Sequence, residues 1–214
     1  MKVAHFGAYA PHQSGQYGTI KDLISAERSV GIEAEFVDYG FKGEPNNRVG
    51  MVDGHIKTVS IEWALGADII MRHSAVPPAV EMSGIPVLTA LHGRPESSSI
   101  LELYGELPVI TEILKAKKKP THAGFLTFWE ENVSQWSAIM GGEKVAYVPS
   151  PVNLSEYKDI KRDYFFNGKG GSPNVVIADI WRQRRDITPF NAIMAAAVFK
   201  DCLLYTSPSP RDRS

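Results

Sequence analysis

The apolar positions of this chain fall into two rhythms. Residues 2 to 7 (KVAHFG), 33 to 38 (EAEFVD), 67 to 73 (ADIIMRH), 86 to 91 (PVLTAL), 122 to 128 (HAGFLTF) and 144 to 149 (KVAYVP) are short apolar runs bounded by glycine or polar residues. Runs of that kind predict six strands. Between them, Ile20, Leu23, Ile24 and Val30 recur at helical spacing and predict a helix over 19–30 closed by Gly31. Ile56, Val59 and Trp63 predict a second over 56–65, closed by Gly66. Further helical stretches are predicted at 79–83, from the serines at 97–99 to Lys119 with a break near Pro108, and over 131–142. The segment GFKGEPNNRVG (40–50) reads as a loop. Strands alternating with helices through short connections predict an α/β fold, a Rossmann-like parallel sheet covered on both faces.

The pattern changes at residue 151. From there to 173 the chain is rich in Asn, Ser, Lys, Asp and Gly, which reads as an interdomain linker. NVVIAD (174–179) then resumes as a strand and PFNAIMAAAVFK (189–200) as a helix. One strand and one helix cannot bury their own apolar faces, so 174–201 is expected to be the first β-α unit of a truncated second Rossmann-like domain. The last stretch, CLLYTSPSPRDRS (202–214), lacks periodicity and ends in Ser, Pro and charge. It resembles the translation of a transposase-based sequencing-library adapter and is expected to be a non-native tail. The expected organisation is therefore an amino-terminal domain over 1–150, a linker over 151–173, a truncated domain over 174–201 and the tail.

Composition narrows the function classes. A net charge of −1 leaves no concentrated basic surface, which argues against a nucleic-acid partner. The one basic run, Lys115 to Lys119, reads as the last turn of a helix stopped by Pro120. No apolar stretch approaches the roughly 20 residues that span a bilayer. The amino terminus lacks a small-residue cleavage site, and the only cysteine, Cys202, excludes an internal disulfide framework. A cytoplasmic chain without a transmembrane segment is expected.

In an open parallel sheet, ligands bind beyond the carboxyl ends of the strands. That rule selects the loops Ala8–Gly18, His73–Pro78, His92–Ser98 and Trp129–Glu131. Gly15, Gln16, Tyr17 and Gly18 precede a predicted helix, where backbone amides can meet an anion; the same glycines read equally as an ordinary turn. They form no dinucleotide fingerprint, and Gly168–Ser172 (GKGGS) precedes a strand instead of following one. His92 ends a strand at a glycine, a position that aims an imidazole into a cleft. Arg94 is a fixed cation suited to phosphate or carboxylate, and Ser97 to Ser99 can cap the next helix. His73, Arg94, Glu96 and Ser97 are the substrate-binding candidates. Read blandly, His92 is a satisfied turn residue, Arg94 lies on the surface, His5 is a core histidine, and Trp63, Trp129 and Trp136 are packing residues. The histidines are not paired at metal-binding spacing and no Asp-x-Asp occurs, so no metal is expected.

The runs PVLTALHGRPESS, HAGFLTFWEENVSQW, KVAYVPSPVNLSEY and PNVVIADIWRQRRDITPF together resemble glycosyltransferases of the GT-B fold, especially the family-four type. Ser150-Pro151-Val152-Asn153 stands where that family carries a Pro-Pro-Val-Asp-like turn, with Asn replacing Asp. The resemblance implies two Rossmann-like domains, the first facing the acceptor and the second holding a nucleotide-sugar donor, with no other cofactor. It implies that His92 is the catalytic histidine contacting the donor sugar, that Gly15-Gln16-Tyr17-Gly18 is the loop near the donor phosphates, and that transfer of the sugar, of hexosyl type, retains configuration. The family's glutamate-containing donor motif would lie beyond residue 201, so the chain itself is expected to be inactive. The donor sugar, the acceptor and the oligomeric state stay open. Two other readings stay open too: a non-catalytic α/β small-molecule-binding module, and a nucleotide-sugar epimerase or dehydrogenase, which the missing fingerprint disfavours.

Overall fold

The computed structural model describes residues 1–11, 15–40, 48–105, 108–152, 174–175 and 203–204. It divides into two units, Met1–Glu156 and Tyr157–Ser214. The first is built on an eight-stranded sheet of β1 (Lys2–Gly7), β2 (Glu33–Asp38), β3 (Val52–Asp53), β4 (Ile56–Val59), β5 (Ile69–Arg72), β6 (Val87–Leu91), β7 (His122–Thr127) and β8 (Val145–Tyr147). Its order is β3-β4-β2-β1-β5-β6-β7-β8. Every pairing is parallel except β3 with β4. The chain winds outward from β1 in one direction and then from β5 in the other. The carboxyl ends of these two neighbours therefore mark the reversal point at which doubly wound sheets open a crevice.

Both faces are covered, as the near-continuous apolar strands predict. On one face α1 (Gly15–Ser29) lays Tyr17, Ile20, Leu23 and Ile24 against Val3, Phe36 and Met71. On the other, α2 (Ile61–Ala64) and α3 (Pro78–Glu81) contribute Ala64 and Val80 to a cluster with Ala4, Phe6, Val37 and Ile70. Beyond β6, α5 (Val109–Lys117) and α6 (Val133–Ile139) close a third cluster around Trp136, which is fully buried. Between β6 and α5 lies α4 (Pro95–Leu103). The basic run ends α5 as expected: Lys115, Lys117 and Lys119 pair with Glu112, Glu143 and Glu81. No helix among the described residues is long and apolar enough to cross a membrane.

Four departures from the sequence pattern have physical causes. The helix expected over 56–65 is a strand as far as Val59, because Phe36 and Val37 pair with Thr58 and Val59. A two-residue turn, Gly54-His55 with Gly54 at φ 59°, adds β3 as an antiparallel partner. Ser60 then caps the short α2 by accepting from Trp63 N at 3.3 Å. Second, α1 starts at Gly15, not Thr19, so Gly15, Gln16, Tyr17 and Gly18 are its first turn and not a loop. Burial of Tyr17 edge-on against Tyr9 (5.3 Å) and Phe36 (5.4 Å) extends the helix over both glycines. That packing outweighs a glycine cost of about 1 kcal/mol each. Val30, expected on the apolar face, lies past the helix end and is 74% exposed. Third, α4 begins at Pro95, so the serines lie within its first turns instead of capping it; Ser99 Oγ donates back to Pro95 O at 2.9 Å. Fourth, Trp129 is 42% exposed and does not pack in the core.

In the second unit, β9 (Asn174–Val175) pairs in parallel with β10 (Leu203–Leu204). Those two leucines lie within the stretch expected to be a non-native tail. Residues 153–173 of the linker expected over 151–173, the rest of the strand to 179, the helix over 189–200, the loop residues 41–47, Cys202 and the GKGGS run lie outside the described residues.

Candidate functional site

A cavity of about 290 Å³ opens at the carboxyl ends of β5 and β6, roofed by Ser98 of α4 and by Val109, Glu112 and Ile113 of α5. The two roof helices are joined electrostatically. Glu102 accepts from Ile110 N (2.7 Å), Thr111 N (3.0 Å) and the Thr111 hydroxyl, which supplies the open amides of α5 with a carboxylate cap. The Thr111 hydroxyl bond, first among these contacts, holds the Glu102 carboxyl below its ordinary range.

Arg72 and Thr89 sit side by side in the floor as register partners of β5 and β6. Arg72 is 5% exposed, and its guanidinium reaches two backbone carbonyls, Ser74 O at 3.0 Å and Glu112 O at 3.5 Å. Burial lowers its pKa, with Glu81 and Glu112 acting in the opposite direction. With five donors and two acceptors among the described residues, this cation keeps donors for a ligand. The Thr89 hydroxyl is buried without a hydrogen-bond partner among the described residues. Buried polar groups normally find partners, so an orphaned hydroxyl beside an under-bonded guanidinium suits a hydroxyl-bearing or anionic ligand. Neither residue stands among the sequence candidates. The visible signal for Arg72 is a charge inside the apolar run ADIIMRH.

His92 lies on the rim, half-buried, directly after β6. Its turn is held by Gly93, whose φ of 77° favours glycine and whose carbonyl accepts from Asn132 Nδ2 (3.2 Å) and Trp136 Nε1 (3.4 Å). The ring packs on Phe128 at 4.9 Å. Its Nε2 lies 2.7 Å from His73 Nδ1. Desolvation pushes its pKa down to about 3, so the ring is neutral at physiological pH.

The remaining candidates divide. His73 lines the cavity but is 4% exposed, and both ring nitrogens are occupied, by His5 and His92. It therefore has no ring nitrogen for a substrate, and burial, with His92 and His5 adding, holds its pKa well below the usual histidine value. Gln16 lines the cavity, with its amide nitrogen donating to His73 O at 2.5 Å. Gly15, Tyr17 and Gly18 do not line it, and Tyr17 is a core residue. Arg94, just before α4, and Glu96, in its first turn, are exposed and do not line the cavity. Ser97 is buried off the cavity, and its neighbour Ser98 takes the lining position. At the crevice edge, Asp38 at the end of β2 latches the first loop, accepting from Tyr9 N (2.8 Å) and Arg48 Nε (2.6 Å).

No family model and no curated protein matches the chain. Among solved structures, it is similar to an alpha-glucosyltransferase in complex with UDP and a 13-mer DNA containing a HMU base, at 15% identity over 73% of this chain and 44% of that one, TM-score 0.46. It is also similar to an alpha-glucosyltransferase in complex with UDP-glucose and DNA containing an abasic site, at 15% identity over 73% of this chain and 44% of that one, TM-score 0.46. A third, an alpha-glucosyltransferase in complex with UDP, gives 14% identity over 73% of this chain and 45% of that one, TM-score 0.45. The chain spans less than half the length of each.

Proposed function

We propose that the first unit is the acceptor-side domain of a glycosyltransferase, in which the cavity holds a sugar against His92 for transfer from a nucleotide-sugar donor to an acceptor hydroxyl. One observation carries the reading: a neutral imidazole stands on the rim of a cavity floored by a buried guanidinium and a buried hydroxyl, and among the described residues one nitrogen of that imidazole and the hydroxyl have no partner. A sugar presents hydroxyls to such groups. Departure of a nucleoside diphosphate develops negative charge that a buried guanidinium stabilises strongly, because little water screens it. The developing positive charge at the anomeric carbon is met by an uncharged ring, and His92 positions or deprotonates the incoming hydroxyl. Following the family resemblance, the transfer retains configuration and residues 174–201 begin the donor-holding domain. The acceptor is unassigned.

The test combines thermal melts of a longer parent chain, one that carries the whole donor-holding domain, against a panel of nucleotide sugars with mass spectrometry of the products. One donor class should raise the melting midpoint and yield a glycosylated product. His92→Ala should leave the midpoint of the free protein nearly unchanged and cut turnover by about 100-fold. If no nucleotide sugar shifts the midpoint, or if His92→Ala turns over at the native rate, the reading fails. A midpoint shift without product under any donor would favour a binding module, which Arg72 and Thr89 alone would serve.

A further inference from the structure

A line of four titratable side chains runs along the α1 face of the sheet. Glu27 Oε2 lies 2.7 Å from His5 Nε2, His5 Nδ1 lies 3.0 Å from His73 Nε2, and His73 Nδ1 lies 2.7 Å from His92 Nε2. The His5 and His73 rings are stacked at 5.3 Å with 20° between their planes. His5 is wholly buried, whereas the Glu27 side chain is 18% exposed at the far end of the line. Five of the six ring nitrogens have a partner within the line. The sixth, His92 Nδ1, has none among the described residues. The groups are strung out and do not converge: among the described residues, no three His, Cys, Asp or Glu side chains are grouped to hold a metal ion.

The order of donors follows from one end. An ionised carboxylate only accepts, so His5 must offer it Nε2–H. A neutral His5 then has a lone pair on Nδ1, which requires Nε2–H from His73, and the same rule passes to His92. We propose that Glu27, His5 and His73 are positioning residues that lock His92 as its Nε2–H tautomer, leaving Nδ1 as a lone pair facing substrate, and that the line carries away the proton this nitrogen removes. The proposal rests on the sugar-transfer reading for its substrate, but its tautomer content does not.

The bookkeeping balances. The acceptor O–H gives its proton to His92 Nδ1, and its electron pair forms the bond to the anomeric carbon on the same face from which the diphosphate leaves, as retention requires. The bond from that carbon to the diphosphate oxygen breaks, and its pair leaves with the nucleoside diphosphate. His92 passes its Nε2 proton to His73 Nδ1, His73 passes its own to His5 Nδ1, and His5 passes its own to Glu27. Each ring ends neutral in the opposite tautomer, and the carboxyl ends protonated beside solvent. No step leaves a charge on a buried ring, which matters because burial disfavours imidazolium at both His73 and His92.

The experiment is long-range proton–nitrogen correlation NMR on the uniformly nitrogen-15-labelled chain near pH 7, which reads each ring nitrogen as protonated or bare. The expected result is Nε2–H with bare Nδ1 for His5, His73 and His92. Glu27→Gln, whose amide can donate as well as accept, should release the bias and raise the Nδ1–H form of His92 severalfold while the melt stays cooperative. A native His92 found as Nδ1–H overturns the proposal whether or not the variant folds. So does a folded Glu27→Gln chain with unchanged tautomers. Where transfer is measurable, Glu27→Gln should lower kcat about tenfold with KM unchanged. The expected tautomers together with a donor-domain-bearing parent that binds no nucleotide sugar would sustain the lock and sink the sugar reading; reversed tautomers with donor binding by that parent would do the opposite.

Discussion

His92 and His73 are histidines whose neutral forms are favoured by desolvation, His92 falling from 6.5 to about 3. A depressed pKa means that the unfolded chain binds the proton first as pH falls. Stability is therefore full above about pH 6.5 and declines below it. The slope is up to about 1.4 kcal/mol per pH unit for each fully depressed histidine, before carboxylates begin to titrate. Urea midpoints between pH 7 and pH 5 should show this decline, and His92→Gln should flatten it. An unchanged slope in the variant would mean that His92 titrates normally. At this scale the sequence showed only part of the site. His92 was visible because a strand ran into a glycine. Arg72 shows only as a charge inside an apolar run, and Thr89 and Glu27 not at all, because their roles come from partners brought in across the sheet or from a helix 22 residues away in sequence, as with Glu27 and His5.

Among the elements, α4 and α5 are joined through the side chain of Glu102. Glu102 at the end of one helix satisfies the free amides at the start of the next. Glu102→Ala should cost about 1 kcal/mol by chemical denaturation, within the range of lost helix caps. It should also loosen the cavity roof, seen as faster amide exchange at Ile110 and Thr111; unaltered exchange there would count against the cap. The element pattern was largely legible, since strand and helix periods differ and glycines close several helices. It failed at Ile56–Val59, where spacings of three and four among Ile56, Val59 and Trp63 suit a helix. The pairing of Phe36 and Val37 with Thr58 and Val59 decides for a strand. It failed again at the start of α1, where burying one tyrosine overrides two glycines.

For the whole molecule, the first unit contains every strand of the eight-stranded sheet, the three apolar clusters and the cavity. A chain of residues 1–156 should therefore unfold in one cooperative transition and retain the tautomers of its three aligned histidines. Circular dichroism and the same nitrogen-15 spectra would check both, and a loss of cooperativity would show that the unit depends on residues beyond it. The doubly wound order was anticipated only as a class. Which strand neighbours which follows from pairing energies that no local pattern displays.

Helix α1 touches the imidazole row twice, at Gln16 through the His73 carbonyl and at Glu27 through His5. The two grips are about 16 Å apart along the helix axis at the usual rise per residue. Gly7 lets that helix seat closely, since a Cβ there would come within 2.7 Å of Ile20 Cδ1. The rod and the row consequently share one alignment: sliding the helix by even an ångström would stretch both grips together, so whatever seats α1 also sets the hand that reaches the cavity.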